Sequence, residues 1–380
     1  MFGLDSEDAA KLNLSVSFDG DTATVGSSLG QVFEVGHRMG DCDLRDASKY
    51  DLSFCLTGFH GEAQVARVQT RGEHTPLGYV MPITAFRSDA GLGDEWTKRF
   101  AHVAFRKLIS LENFERYAAW KAFDSLRGKR LFPDEVFPDD LSLLILGKLN
   151  LEKAAISQSY LDLMLLDHGI TRVGNAGWGK RPINLAKFSK NISVRSMSQV
   201  IKDDISVIYS VISSSDDDRS EVGRFIRLYQ IMEYCLEAVY SWGLSSLLKA
   251  GFSSWKLKKK LGELTGERYR LGVLVSHCLS KPLSSSPFDL LAEECRNFLT
   301  ALSEDADDQS WQKLLYAVRN VVVHDQIRML RAVNVPLTSI NRHLRQVCFE
   351  VIANLKEPDL SEVWRDDKLQ ESTASPEAKA

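Results

Sequence analysis

Leu12, Leu14, Val16 and Phe18 alternate with Asn13, Ser15 and Ser17, the period of two that a strand with one buried face requires. Asp19-Gly20 follows, then Thr22, Thr24 and Val25. An Asp-Gly pair between β-rich runs predicts a hairpin, because glycine accepts the positive φ of a tight turn. Strand-like runs recur at Leu52 to Leu56, Ala63 to Thr70 and Tyr79 to Phe86. Residues 1–90 therefore read as a small, mostly antiparallel β module.

Around Ser88 to Gly93 the period changes. Trp96, Phe100, Val103, Ala104, Leu108 and Leu111 recur at helical spacing, and the pattern continues through Phe114, Tyr117, Ala118 and Phe123 until Gly128. Asp139 or Asp140 is placed to cap a helix over Leu141 to Leu149. Another helix is expected from about Leu151 to His168, with Gly169 at the left-handed position past its end. Residues 91–194 thus predict a helical middle region, closing on a Gly- and Lys-rich loop from Val173 to Lys190. Beyond Arg195 the pattern is helical almost to Pro358, with breaks at Ser213 to Asp218, Gly262 to Gly266, Pro282 to Pro287 and Pro336. That gives a helical domain over 195–357 and a flexible tail over 358–380, where Glu371 to Ala380 hold almost no large apolar side chain. The expected fold class is α+β: an N-terminal antiparallel β module, a helical middle and a C-terminal all-α bundle.

The chain has 380 residues, 44% hydrophobic and 26% charged, with a net charge of −4. These values predict a packed core in more than one domain and argue against a surface coated with nucleic acid, while leaving room for a local basic groove. Six cysteines occur without a CxxC or a Cys/His cluster, so neither a structural zinc nor a disulfide framework is expected. The start lacks the basic-then-apolar pattern of a signal peptide. The longest apolar runs, Leu143 to Leu146 and Leu163 to Leu166, fall far short of the ~18 residues that span a bilayer. A reduced, cytoplasmic protein without membrane association is the expectation.

Several motifs fail on inspection. Gly174 to Lys180 satisfies GxxxxGK, but Arg181 stands where a phosphate-binding loop needs Ser or Thr for magnesium, and Pro182 follows. His60-Gly61-Glu62 has the spacing of zinc deaminases without their PCxxC partner. His37, His74, His102, His168, His277 and His343 read as structural or surface residues. Lys256, Lys258, Lys259 and Lys260 form a concentrated basic turn, either a solvated helix face or a surface that tracks RNA phosphates.

Trp311 to Arg331 is the richest segment. Trp311, Leu314, Leu315, Val318, Val322 and Met329 make an apolar stripe, against which stand Arg319, Asn320 and His324. Asn320 and His324 are four residues apart and share a face, flanked by Arg319. Three valines at 321 to 323 are poor helix formers where the polar trio sits. Glu233, upstream among Leu228, Ile231, Met232 and Leu236, reads either as a positioning carboxylate for Arg319 or as a plain surface residue.

Arg319-Asn320-Val321-Val322-Val323-His324 resembles the signature of the HEPN superfamily, an Arg, four to six residues and a His, commonly with Asn directly after the Arg. Arg224 to Tyr234 is similar to the long helix that opens many bacterial HEPN domains of the anti-phage, abortive-infection type. The resemblance covers residues 195 to 356. It implies a metal-independent endoribonuclease that pairs two Arg/His sets across a homodimer, needs no cofactor and takes RNA as partner, in a defence or toxin-like role. A non-catalytic HEPN-fold binding or dimerisation protein is the alternative. Gln326 stands where some HEPN toxins carry the Tyr that their antitoxin modifies, so regulation by that route is not expected. The N-terminal half supplies no catalytic constellation and is expected to sense a trigger, bind a regulatory partner or restrain the nuclease.

Overall fold

A computed structural model describes residues 15–19, 22–26, 32–36, 49–57, 65–87, 104–110, 128–138, 140–173, 190–195, 198–279, 285–304, 306, 309–325 and 337–359. The chain divides into two compact units, Met1–Ser196 and Met197–Ala380. The fold is α+β, with β-sheets in the first unit and helices in the second.

Among the described residues the first unit holds ten strands: β1 (Ser15–Asp19), β2 (Thr22–Gly26), β3 (Val32–Gly36), β4 (Tyr50–Thr57), β5 (Ala66–Thr70), β6 (Pro76–Pro82), β7 (Arg130–Leu131), β8 (Leu141–Gly147), β9 (Ile170–Arg172) and β10 (Asn191–Val194). They form a four-stranded sheet, β1-β2-β3-β7, and a six-stranded sheet, β10-β5-β6-β8-β4-β9. The first pairing is the hairpin expected from the alternating N-terminal segment, with Asp19 opposite Thr22. Ala23, Val25, Phe33 and Val35 point to one face of the small sheet. There they share a core with Phe54, Leu56, Met81, Ile83, Leu143 and Ile145 of the large one.

Two expectations are corrected. Leu141 to Leu149 is not a capped helix. Its first seven residues are β8, buried at every position, and only Lys148–Lys153 (α2) is helical. A short unbroken apolar run fits a strand covered on both faces as well as it fits a helix, and β8 lies between β6 and β4 inside the sheet. Nor are the described residues of 91–194 a purely helical middle. They contain α1 (Pro133–Val136), α2 and α3 (Gln158–Asp167), but also four strands that complete both sheets. Two of these, β7 on β3 and β10 on β5, pair in parallel. The helix expected over 96–128 is described only at 104–108.

Two glycines are needed by this geometry. Gly169 follows α3 with φ +71°, the left-handed conformation that lets Gly169 N–H reach the Leu166 carbonyl at 3.0 Å. Gly78 lies where β6 passes β8, and a β-carbon there would collide with the Ile145 carbonyl oxygen.

The second unit contains α4 (Ile205–Asp217), α5 (Glu221–Lys249), α6 (Ser254–Thr265), α7 (Glu267–His277), α8 (Ser285–Ala301), α9 (Trp311–His324) and α10 (Thr338–Asn354). At 29 residues, α5 is the axis of the bundle; at about 1.5 Å per residue it is roughly 43 Å long. Ser220 caps it by accepting from Gly223 N–H. Arg224 ties it back to α4 by donating to the carbonyls of Ser215 and Asp218. Its inward face, Phe225, Leu228, Met232, Cys235 and Val239, is fully buried. α10 lies along it, with Asn341 donating to the Glu221 carbonyl and carboxylate. The buried guanidinium of Arg345 on α10 holds Asp216 of α4 in a two-point pair at 2.9 and 3.0 Å. α9 packs on α8, where the ring centroids of Trp311 and Phe288 are 4.9 Å apart, and also meets α7 and α5.

Candidate functional site

The helix carrying the Arg/His motif owes its position to its other face. Leu314, Leu315, Val318, Val321 and Val322 are buried, and this packing overrides the weak helical preference of the valine run. The helix persists to His324 and ends at Asp325, whose N–H still reaches the Val321 carbonyl at 2.9 Å. Arg319 and Asn320 are left half-buried at the edge, while Val323 and His324 are exposed.

Arg319 is the hub of the cluster. Its Nη1 lies 3.0 Å from His324 Nε2 and donates to Asn320 Oδ1 at 3.3 Å. A guanidinium has no acceptor, so in this contact His324 Nε2 accepts. Arg319 Nη2 faces the Glu233 carboxylate of α5 at 3.7 Å. One turn earlier on α5, Tyr229 presents its ring to the same guanidinium, 6.0 Å from Cζ to centroid. The Tyr229 hydroxyl in turn donates to the Glu267 carboxylate at the start of α7. Burial, then the hydrogen bond and charge of Glu267, hold the Tyr229 phenol well above its ordinary range, so it stays a donor throughout the physiological span. α5 and α9 thus meet at one cation, and α7 anchors the tyrosine beneath it. Arg319 Nε is buried and has no hydrogen-bond partner among the described residues, which makes this guanidinium only partly satisfied by the protein.

The structure therefore brings together Arg319, Asn320, His324 and Glu233. Glu233 is 48% exposed, so its ion pair steers Arg319 more than it stabilises the fold; such pairs are worth about 0–1 kcal/mol. Lys256, Lys258, Lys259 and Lys260 stand apart on α6. There Lys259 lies 6.0 Å over the Trp255 ring and Lys260 pairs with Glu263 at 3.1 Å. Two members of the cluster, Tyr229 and Glu267, carry no motif. Tyr229 is legible in retrospect as the residue four before Glu233 on the same helix face. Glu267 has no such signal, because it meets Tyr229 only through the path of α6 and α7.

The GxxxxGK segment, His60, Glu62, His37, His102 and Gln326 lie outside the described residues. Among the described residues no group of three or more His, Cys, Asp or Glu could hold a metal ion, and no helix is long and apolar enough to cross a membrane. The chain matches no protein-family model, no curated protein and no solved structure.

Proposed function

We propose that the protein is a cytoplasmic, metal-independent endoribonuclease of HEPN type. The single observation that carries this reading is the Arg319–His324 contact at 3.0 Å on a helix end whose histidine faces solvent. His324 is the group that exchanges protons near neutral pH, taking one from the ribose 2′-OH or giving one to the leaving 5′-oxygen. Arg319 offers a planar fork to the charge that builds on the phosphorus oxygens, and Asn320 and Glu233 fix its direction. One histidine serves one proton transfer at a time, so two copies facing one cleft complete the acid–base pair. Val323, 40% exposed beside His324, gives a second copy an apolar contact at that end of α9. The same surface also favours the second reading, a non-catalytic HEPN-fold association module. A defence or toxin-like role, with the N-terminal half as sensor or regulator, follows from the family resemblance alone.

The test is cleavage of RNA by purified protein in excess EDTA, beside Arg319→Ala and His324→Ala variants whose folding is checked by thermal melting. Products ending in 2′,3′-cyclic phosphate, reduced about 10²–10⁴-fold in His324→Ala, support the reading. Cleavage that survives both substitutions, or that vanishes with EDTA, refutes it.

A further inference from the structure

The corner between α5 and α6 combines a basic, acid-free stretch with exposed apolar side chains. From Ala238 through Gly262 no acidic residue occurs, while Lys249, Lys256, Lys258, Lys259 and Lys260 do, in a protein whose net charge is −4. Trp255 sits in this stretch at 68% exposure, above every other large apolar side chain among the described residues, and Leu248 across the corner is 65% exposed. α6 does not need the indole for packing: its one buried side chain is Leu264, set against Gly243 of α5. An indole left in water exposes a large apolar, polarisable face at a cost that a purely structural helix would avoid with a polar residue.

We propose that Trp255, with Lys258 and Lys259, forms a docking platform for single-stranded RNA. An aromatic face in a basic surface is the arrangement by which proteins hold unpaired nucleotides: the ring stacks on a base and the cations follow the phosphates. Lys259 lies 6.0 Å from the ring centroid, so a base stacked on the indole brings its phosphate within reach of Lys259 and its exposed neighbour Lys258. The platform selects unpaired RNA because bases inside a duplex present edges to a protein and keep their faces stacked on each other. The inference rests on the ribonuclease reading for the choice of RNA as ligand and names the substrate class as single strands. The platform belongs to α6, outside the Arg319 cluster, so it holds substrate and takes no part in bond breaking.

The test uses the full chain and a labelled single-stranded RNA bearing 2′-O-methyl groups, which lacks the attacking hydroxyl and reports binding whether or not the protein cleaves. Trp255→Ala is expected to weaken binding roughly 5- to 100-fold, the range set by stacking one base, and Trp255→Phe to retain most of it. Lys258→Gln with Lys259→Gln should make the dependence of log K on log salt shallower by about 1.4, for two phosphates on a single strand. Duplex RNA of the same length should bind more weakly and ignore Trp255→Ala. Since Trp255 is exposed, the variants should melt with wild type. Unchanged affinity in Trp255→Ala overturns the proposal, as does a Trp255 effect as large on duplex as on single strands. Trp255-dependent binding to phosphatidylserine vesicles, without an effect on RNA, reassigns the corner to a membrane surface. Trp255-dependent RNA binding by a protein that never cleaves leaves the platform standing and refutes the nuclease instead.

Discussion

The guanidinium of Arg319 donates to Nε2 of His324 at 3.0 Å, across five positions of one helix. In that state the arginine's donor is turned to the imidazole, and the imidazole's acceptor is filled. A phosphate entering the cluster accepts from Arg319 more strongly than a neutral ring does. In the ribonuclease we propose, substrate binding would therefore free His324 Nε2 at the moment a base is needed. Glu233 and Tyr229 keep the guanidinium at this edge while its partner changes.

The Tyr229 hydroxyl is a positioning group at one remove. Tyr229→Phe preserves the ring under Arg319 and deletes the bond to Glu267. On the ribonuclease proposal, a loss of about 1 kcal/mol in the positioning of Arg319 lowers single-turnover RNA cleavage roughly fivefold. The apparent affinity for RNA should change little, while the melting temperature should fall by no more than the share of that one hydrogen bond, about 1.5–3 kcal/mol. Tyr229→Leu, which removes the ring as well, should lower cleavage further and reduce the melting temperature. A Phe variant as impaired as the Leu variant would show that the ring is not what matters.

The pair between Arg345 and Asp216 ties α10 to α4 inside the helical unit. Arg345→Met strands a buried carboxylate and should cost about 3–5 kcal/mol, whereas adding Asp216→Leu removes the orphan and should restore much of the loss. Urea unfolding followed by helical circular dichroism distinguishes the two. A double variant no better than the single one would mean that the pair is needed for its shape more than for its charge.

Burial pushes the thiols of Cys55, Cys235 and Cys278 from 9.0 up to about 12. The folded protein thus holds these protons more tightly than the unfolded chain. Their contribution to stability is complete below about pH 9 and declines as pH rises from there towards 12. Melting temperature should fall steadily through that window, and Cys235→Ala, though less stable at neutral pH, should show a shallower fall. A melting temperature unchanged up to about pH 10.5 would contradict the assignment.

Elements whose residues alternate or repeat on their own were legible in the sequence. The β1–β2 hairpin follows from single-residue alternation, and α5 and α9 from long apolar stripes. β8 was misread because seven residues buried on both faces carry no period at all. The parallel strands β7 and β10 are two and four residues long, and their partners β3 and β5 lie far away in the chain, so no local pattern announces them. The site divides in the same way. Arg319, Asn320 and His324 share a helix and were readable as a group. Glu233 was readable as a carboxylate on the edge of a stripe. Tyr229 and Glu267 join only through tertiary packing, 38 positions apart.

The length and continuity of α5 have a consequence for how such a chain can diverge. Arg224 fixes the helix to α4, and Tyr229 and Glu233 then reach the Arg319 cluster at set angles about the same axis. One residue inserted or lost between 224 and 233 would turn everything beyond it by about 100°, carrying Glu233 off the cation and the buried stripe of Met232, Cys235 and Val239 out of the core. Substitutions along α5 can therefore accumulate freely on its outer face, but its count of residues cannot. Descendants of this site are to be recognised by intervals, a Tyr and a Glu four apart on a long helix and an Arg-Asn with a His four beyond the Asn on another, long after the letters between them have changed.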